Sequence, residues 1–150
     1  MSGYDWQVRG VHLQEMRREL KQLEDNLKER AIRAGLVRLA APVKRTAKRL
    51  APSDTGDMAR AVGHLNLNRR QRTRLGLRAG AVGILVGTNR RINGRFQGRK
   101  GMWQEHGTER MDANPFLLPA MQQHAGGAQG RFYEGLSRYL DRQRRQGRIA

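Results

Sequence analysis

The chain contains no cysteine, so disulfides and thiolate metal sites are excluded and the redox compartment leaves no trace. No apolar run approaches the ~20 residues that a bilayer-spanning helix requires. Residues 1–10 carry Asp5 and no hydrophobic segment, which argues against a secretory signal. A protein made in cytoplasm, and used there or packed into a particle, is expected. Core material is also scarce: Leu, Ile, Val and Phe number 16, 4, 7 and 3, only 30 of 150 residues. That lies at the boundary below which highly charged chains tend toward disorder. Eighteen glycines add backbone entropy to be lost on folding. One domain, 1–150, is expected at this length. A lone monomer would be marginal, however, and a subunit buried against copies of itself would be better supported.

Acid is the other shortage. Thirty Lys and Arg face thirteen Asp and Glu, a formal charge of +17. Self-repulsion on that scale destabilises a compact monomer and implies an anionic partner. Between Asp57 and Glu105 there is no acid at all, while Arg60, Arg69, Arg70, Arg72, Arg74, Arg78, Arg90, Arg91, Arg95, Arg99 and Lys100 contribute eleven cations. Arginine suits phosphate because its planar fork donates paired hydrogen bonds. An ordinary charge run is a solvated face. A run this long without interspersed acid points instead to contact with DNA or an acidic protein, with Arg69, Arg70, Arg72, Arg74, Arg90, Arg91, Arg95, Arg99 and Lys100 as candidates.

Catalytic chemistry is not evident. His12, His64, His106 and His124 lack metal-ligand spacing. Glu105-His106 with Glu109 and Asp112 has the order of a turn rather than of an acid–base cluster. A nuclease needs carboxylates for divalent metal, and the basic middle has none. Gly76, Gly80 and Gly83 have the wrong spacing for a dinucleotide loop and suit bulges or tight turns. No catalytic, metal or cofactor-binding residue is assigned, and no cofactor is expected.

Along the chain, residues 11 to about 33 read as an amphipathic helix. Leu13, Met16, Leu20, Leu23 and Leu27 form a narrow seam, packed either on the protein's own sheet or against a neighbouring subunit. A kink between Gly35 and Pro42 and a second helical segment ending before Pro52 are expected. Asp54 or Thr55 could cap a short helix through Ala61. Strands are expected around Leu65 and Leu67, around Leu75 and Leu77, and over Ala81–Thr88, with Arg69–Thr73 and Asn89–Gly101 as loops. Phe132, Leu136, Tyr139 and Leu140 stripe a last helix interrupted by glycines. The expected class is α+β: a long kinked N-terminal helix, an antiparallel sheet of three or four strands and a C-terminal helix. Residues 1–10 are expected to be flexible, 89–101 a mobile basic loop, and 142–150 a frayed basic tail.

The stretch from Met102 to Met121, MWQEHGTERMDANPFLLPAM, is the most distinctive. Gly107 permits a conformation that residues with a Cβ avoid, and Asn114-Pro115 holds the chain extended. Phe116, Leu117, Leu118 and Met121 then bury side chains as a new element starts, with Pro119 tolerated only in its first turn. The residues describe a rigid corner packed into the body of the protein. Together with Asp54-Thr55-Gly56, the motifs Glu105-x-Gly107-Thr108 and Pro115-Phe116-Leu117-x-Pro119-Ala120 resemble the HK97 gp10-like family of tailed bacteriophages, over roughly residues 30 to 125. Met58 stands where that family more often has leucine, and His106 fills the variable slot.

The resemblance implies a structural virion protein: a neck or tail-completion subunit forming a homo-oligomeric ring at the head–tail junction. It would meet head-connector and tail-terminator proteins, with double-stranded DNA passing weakly and without sequence preference through the channel. Asp54, Thr55, Gly56, Glu105, Gly107, Thr108, Pro115 and Phe116 would then be architectural. The rival is a freestanding nucleic-acid-binding module. Only Phe96 and Trp103 interleave with the basic stretch, however, where single-strand binders need several stacking aromatics, and no helix-turn-helix or zinc-finger pattern is present.

Overall fold

The computed structural model describes residues 10–150, with side chains from Met16 onward. Residues 1–9 and the Leu13 side chain therefore lie outside the described residues. Helices α1 (Gly10–Gln22) and α2 (Asp25–Leu50) are followed by short α3 (Asp57–Ala61), strand β1 (Val62–Asn66), α4 (Arg69–Arg74) and β2 (Ile84–Thr88). Strands β3 (Arg91–Ile92) and β4 (Arg95–Phe96) then precede α5 (Gly98–His106), α6 (Leu117–His124), a 3₁₀ turn at Ala125–Gly127 and α7 (Ala128–Arg145). The class is α+β, as expected. Its strands make two separate antiparallel pairs, β1–β2 and β3–β4, rather than one sheet. Leu65 faces Leu85 and Val62 faces Thr88 in the longer pair.

Helix α2 is the spine, about 39 Å long at 1.5 Å per residue. No break occurs between Gly35 and Pro42. Pro42 lacks the N–H that would bond the Arg38 carbonyl, yet buried Ala40, Val43, Thr46 and Ala47 hold the helix on both sides of that gap. Gly35 is a crossing point, since a Cβ there would stand 2.7 Å from the Phe132 ring on α7. The actual interruption is at Leu23-Glu24, where Glu24 adopts an extended conformation (φ −58, ψ 147). It separates α2 from α1, whose Met16 and Leu20, with Leu23 just after, pack on Ala31, Leu136 and Leu140.

A second core cluster lies toward the C-terminal half of α2. It joins Val43, Ala47 and Ala51 to Met58, Val62, Phe116 and Ala120. Two small cores along one helix match the thin apolar composition.

Two expected loops are ordered elements. Residues 69–74 form α4 because Asn68 and Gln71 make a capping box, with Asn68 Oδ1 accepting the Gln71 amide and Gln71 Oε1 accepting the Asn68 amide, both at 2.9 Å. Leu75 and Leu77 are not in a strand. Gly76 (φ +68) ends α4, with Leu77 N bonded to Arg72 O and Gly76 N to Thr73 O in a Schellman pattern. In 89–101, Asn93 (φ 50) and Gly94 (φ 75) turn a hairpin between β3 and β4. Asn-Gly is the pair that a tight hairpin turn with two positive φ angles selects. At the C-terminus, α7 continues through Arg145, into the segment expected to fray.

Candidate functional site

The corner is built by Glu105, on the last turn of α5. Its Oε1 accepts the amides of Phe116 at 2.6 Å and Leu117 at 2.5 Å, and Oε2 accepts that of Leu118 at 3.4 Å. These amides open α6 and have no carbonyl partner within the helix. The next residue, Pro119, has no N–H to satisfy. One carboxylate and one proline thus account for all four groups, and the negative charge sits at the positive end of the helix dipole.

Gly107 follows at φ +74, where a Cβ would lie 2.9 Å from both Ala113 N and Met111 O. Thr108 and Met111 close the turn with a β-bridge, and Asn114 N bonds Gln104 O at 2.7 Å. Phe116 is fully buried beside Val62 and Ala47. Since its oxygens are occupied by backbone amides, Glu105 does not act as a free acid or base.

The earlier motif is a turn as well. Asp54 Oδ1 accepts the Thr55 amide, Thr55 Oγ1 accepts the Asp57 amide, and Gly56 sits at φ +70 before α3. This first motif lines a groove of about 460 Å³ together with residues that flank the second, about fifty residues on in sequence. Asp54, Thr55 and Asp57 line one side, and Trp103, Gln104 and Met111 the other, with Arg95 and Lys100. Phe96, Met102 (58 % exposed), Trp103 (43 %) and Met111 leave large apolar surfaces uncovered on these elements.

The cations of 69–100 do not form a single stripe along one element. Arg69, Arg70, Arg72 and Arg74 ride on α4, where Arg72 Nη1 donates to Ala81 O. Arg91 Nη1 donates to Gly94 O within its own hairpin. Arg95 and Lys100 line the motif groove, and Arg99 lies exposed on α5. Arg90 lies over Gly63, where a Cβ would stand 2.7 Å from its Nε. It neighbours Lys44, whose Nζ is 2.8 Å from His64 Nδ1. Burial first, then Lys44 and Arg90, push the His64 imidazole below the ordinary histidine value. Burial first, then Arg90 and Lys48, do the same to Lys44.

A further cationic surface escaped the sequence reading. Arg30, Arg33 and Arg38 on α2 face Arg138 and Arg142 on α7, with Arg148 beyond, along a groove of about 650 Å³. Reading for acid-free runs passes over it because Glu29 and Glu134 are interspersed in the sequence. The signal was present at helical spacing, in Arg30 and Arg33 and in Arg138 and Arg142. Of the proposed subunit seam, Met16, Leu20 and Leu23 are half-buried within the chain, and Leu27 lines an adjoining cleft with Leu23, Leu140 and Ile149.

Among the described residues, no group of three or more His, Asp or Glu is placed to hold a metal, and no helix is long and apolar enough to cross a membrane. Each signature turn is held by hydrogen bonds to its own backbone and side chains, on a small and strongly basic scaffold. Residues 14–107 match the family model described as "Bacteriophage HK97-gp10, putative tail-component", and the chain belongs to this HK97-gp10-like family. The match starts earlier than the motif-based estimate and ends at Gly107. Glu105 therefore falls inside it, while the helix start that Glu105 caps falls beyond. No curated protein and no solved structure matches the chain.

Proposed function

We propose that this tail component is a neck or tail-completion subunit, assembling with copies of itself into a ring or collar at the head–tail junction. It acts by assembly rather than catalysis. Its partners are itself, the adjoining head-connector and tail-terminator proteins, and the duplex DNA in the channel, held weakly and without sequence preference. The observation that carries this role is the apolar surface that Trp103 and Met111 leave uncovered in the groove beside Asp54 and Thr55, with Phe96 and Met102 also exposed on the neighbouring β4 and α5. Contiguous exposed apolar surface marks a contact site, and aromatic and Met side chains are enriched in protein–protein interfaces.

Mass measurement of the purified protein, alone and with assembled tails, tests the role. A discrete multimer, or stable addition to tails, is expected. Trp103→Ser with Met102→Ser should lose that association while retaining the wild-type circular dichroism spectrum. A wild-type protein that stays monomeric at micromolar concentration and adds to no tail would overturn the assignment.

A further inference from the structure

We propose that the α2–α7 groove, and not the acid-free stretch 69–100, is the surface that binds the sugar-phosphate backbone of duplex DNA. Its orientation toward a DNA path rests on the junction role above, whereas its binding chemistry stands on geometry alone. Six arginines line the groove: Arg30, Arg33, Arg38, Arg138, Arg142 and Arg148. Only two carboxylates pair with them. Glu29 takes Arg33 at 2.5 Å, and Glu134 takes Arg38 at 3.1 Å and Arg138 at 2.7 Å. The ion pairs among the described residues leave Arg30, Arg142 and Arg148 without a carboxylate partner.

Arg142 stacks over Tyr139 with its guanidinium carbon 5.9 Å from the ring centroid, which keeps its fork extended. Arg33 keeps a buried Nε with no acceptor. From Arg30 to Arg38 the α2 row runs about 12 Å, close to the axial rise of three or four nucleotides of one strand at about 3.4 Å each.

The floor of the groove favours a polyanion over a protein. It is made of Ala34, Val37, Ala41 and Gly135. The helices close tightly there, since a Cβ on Gly135 would stand 2.7 Å from Ala34 O and 3.0 Å from Gly35 Cα. A protein partner would want aromatic anchors seated in an apolar centre. Here the only aromatic in the lining, Tyr139, already lies beneath Arg142. DNA interfaces are more positive than that, and a rim of arginines over a floor with no free aromatic anchor suits them better. Net positive charge on small, flat residues is a surface that phosphates can approach closely.

The experiment is a salt titration of fluorescence anisotropy with a labelled random-sequence duplex, using the full chain. Wild type should bind at low salt and release near physiological salt. R30Q/R142Q/R148Q removes the three cations that have no carboxylate partner and should flatten the log affinity–log salt slope by about 2.7, three contacts at about 0.9 each. R69Q/R70Q/R74Q on α4 removes the same charge and should change the slope by less than about one contact's worth. Equal flattening in both variants, or none in the groove variant, would overturn the proposal. So would a wild-type protein that ignores DNA but binds polyglutamate through the groove arginines, which would make the groove a seat for an acidic protein. Circular dichroism melts confirm that both variants fold. The mass measurement above does not depend on DNA, so a failed groove and a failed junction role give different results.

Discussion

The Glu105 corner and the α2–α7 groove use charge in opposite ways. At the corner, one carboxylate meets three backbone amides and a proline, and every donor is accounted for. At the groove, six guanidinium groups share two carboxylates, and three have neither carboxylate. Satisfied polar groups fix a shape, because breaking them leaves an orphan whose desolvation is not recovered. Unsatisfied surface cations do little for the fold, since exposed pairs are worth ~0–1 kcal/mol. Their free donors remain available to a ligand. The difference teaches which residues should be read as architecture and which as contact, in a chain where charge density alone does not separate them.

Substitutions at the two sites should therefore fail differently. Phe116→Ala empties the best-buried side chain of the corner and should cost about 3–5 kcal/mol, read as a lower midpoint in denaturant unfolding. Unchanged unfolding would mean that the corner is not anchored in the core. Glu105→Ala should cost about 2–3 kcal/mol, since it strips the cap and leaves partly buried amides unpaired. Glu105→Gln keeps one accepting oxygen and should cost roughly half of that. If the two substitutions prove equal, the charge rather than the hydrogen bonding would be what matters.

A smaller effect is expected from pH. The folded-state pKa of His64 lies below its unfolded value, so acidification protonates the unfolded chain first. Stability present at neutral pH should be lost as the pH falls below about 6.5. His64→Gln should remove part of that loss in melting temperature, with Lys44, Lys48 and Arg90 providing the surrounding positive field. A mutant whose acid sensitivity equals that of wild type would exclude His64 as its source. Smallest of all, Arg30→Gln, Arg142→Gln and Arg148→Gln should each change stability by no more than about 0.5 kcal/mol. A large loss at any of them would turn the groove into architecture and erase the contrast.

The sequence made part of this visible. Gly107 at positive φ, buried Phe116 and the stripe on α7 follow from local rules and are found, whereas the strand expected over Ala81–Thr88 starts only at Ile84, and Leu118 and Met121, expected to bury beside Phe116, are exposed. The failures came where a local rule was read for the wrong partner. Gly35 looked like a kink because its neighbour across the helix crossing, Phe132, is about a hundred residues away. Leu75-Gly76-Leu77 alternates like a strand, but Gly76 is a helix terminator. Asn68 to Gln71 carried a capping signature that the surrounding arginines obscured. At the candidate site, the link between Glu105 and residues 116–118 was implicit in their types but not in their spacing. Each wall of the α2–α7 groove showed at helical spacing, but their meeting did not, because helices from opposite ends of the chain pack together to form it.

The span from Gly107 to Pro115 is closed at its base by the Asn114–Gln104 hydrogen bond and the Glu105 cap, and again near its tip by the Thr108–Met111 bridge. Glu109, Arg110 and Asp112 at that tip are exposed. Ends that are pinned independently of the loop between them tolerate added length at little entropic cost, each doubling adding only about 0.6 kcal/mol. An epitope or fluorophore-binding peptide inserted between Glu109 and Arg110 should therefore open the Thr108–Met111 bridge yet leave the base pinned, offering a handle for labelling at the edge of the groove that Met111 lines.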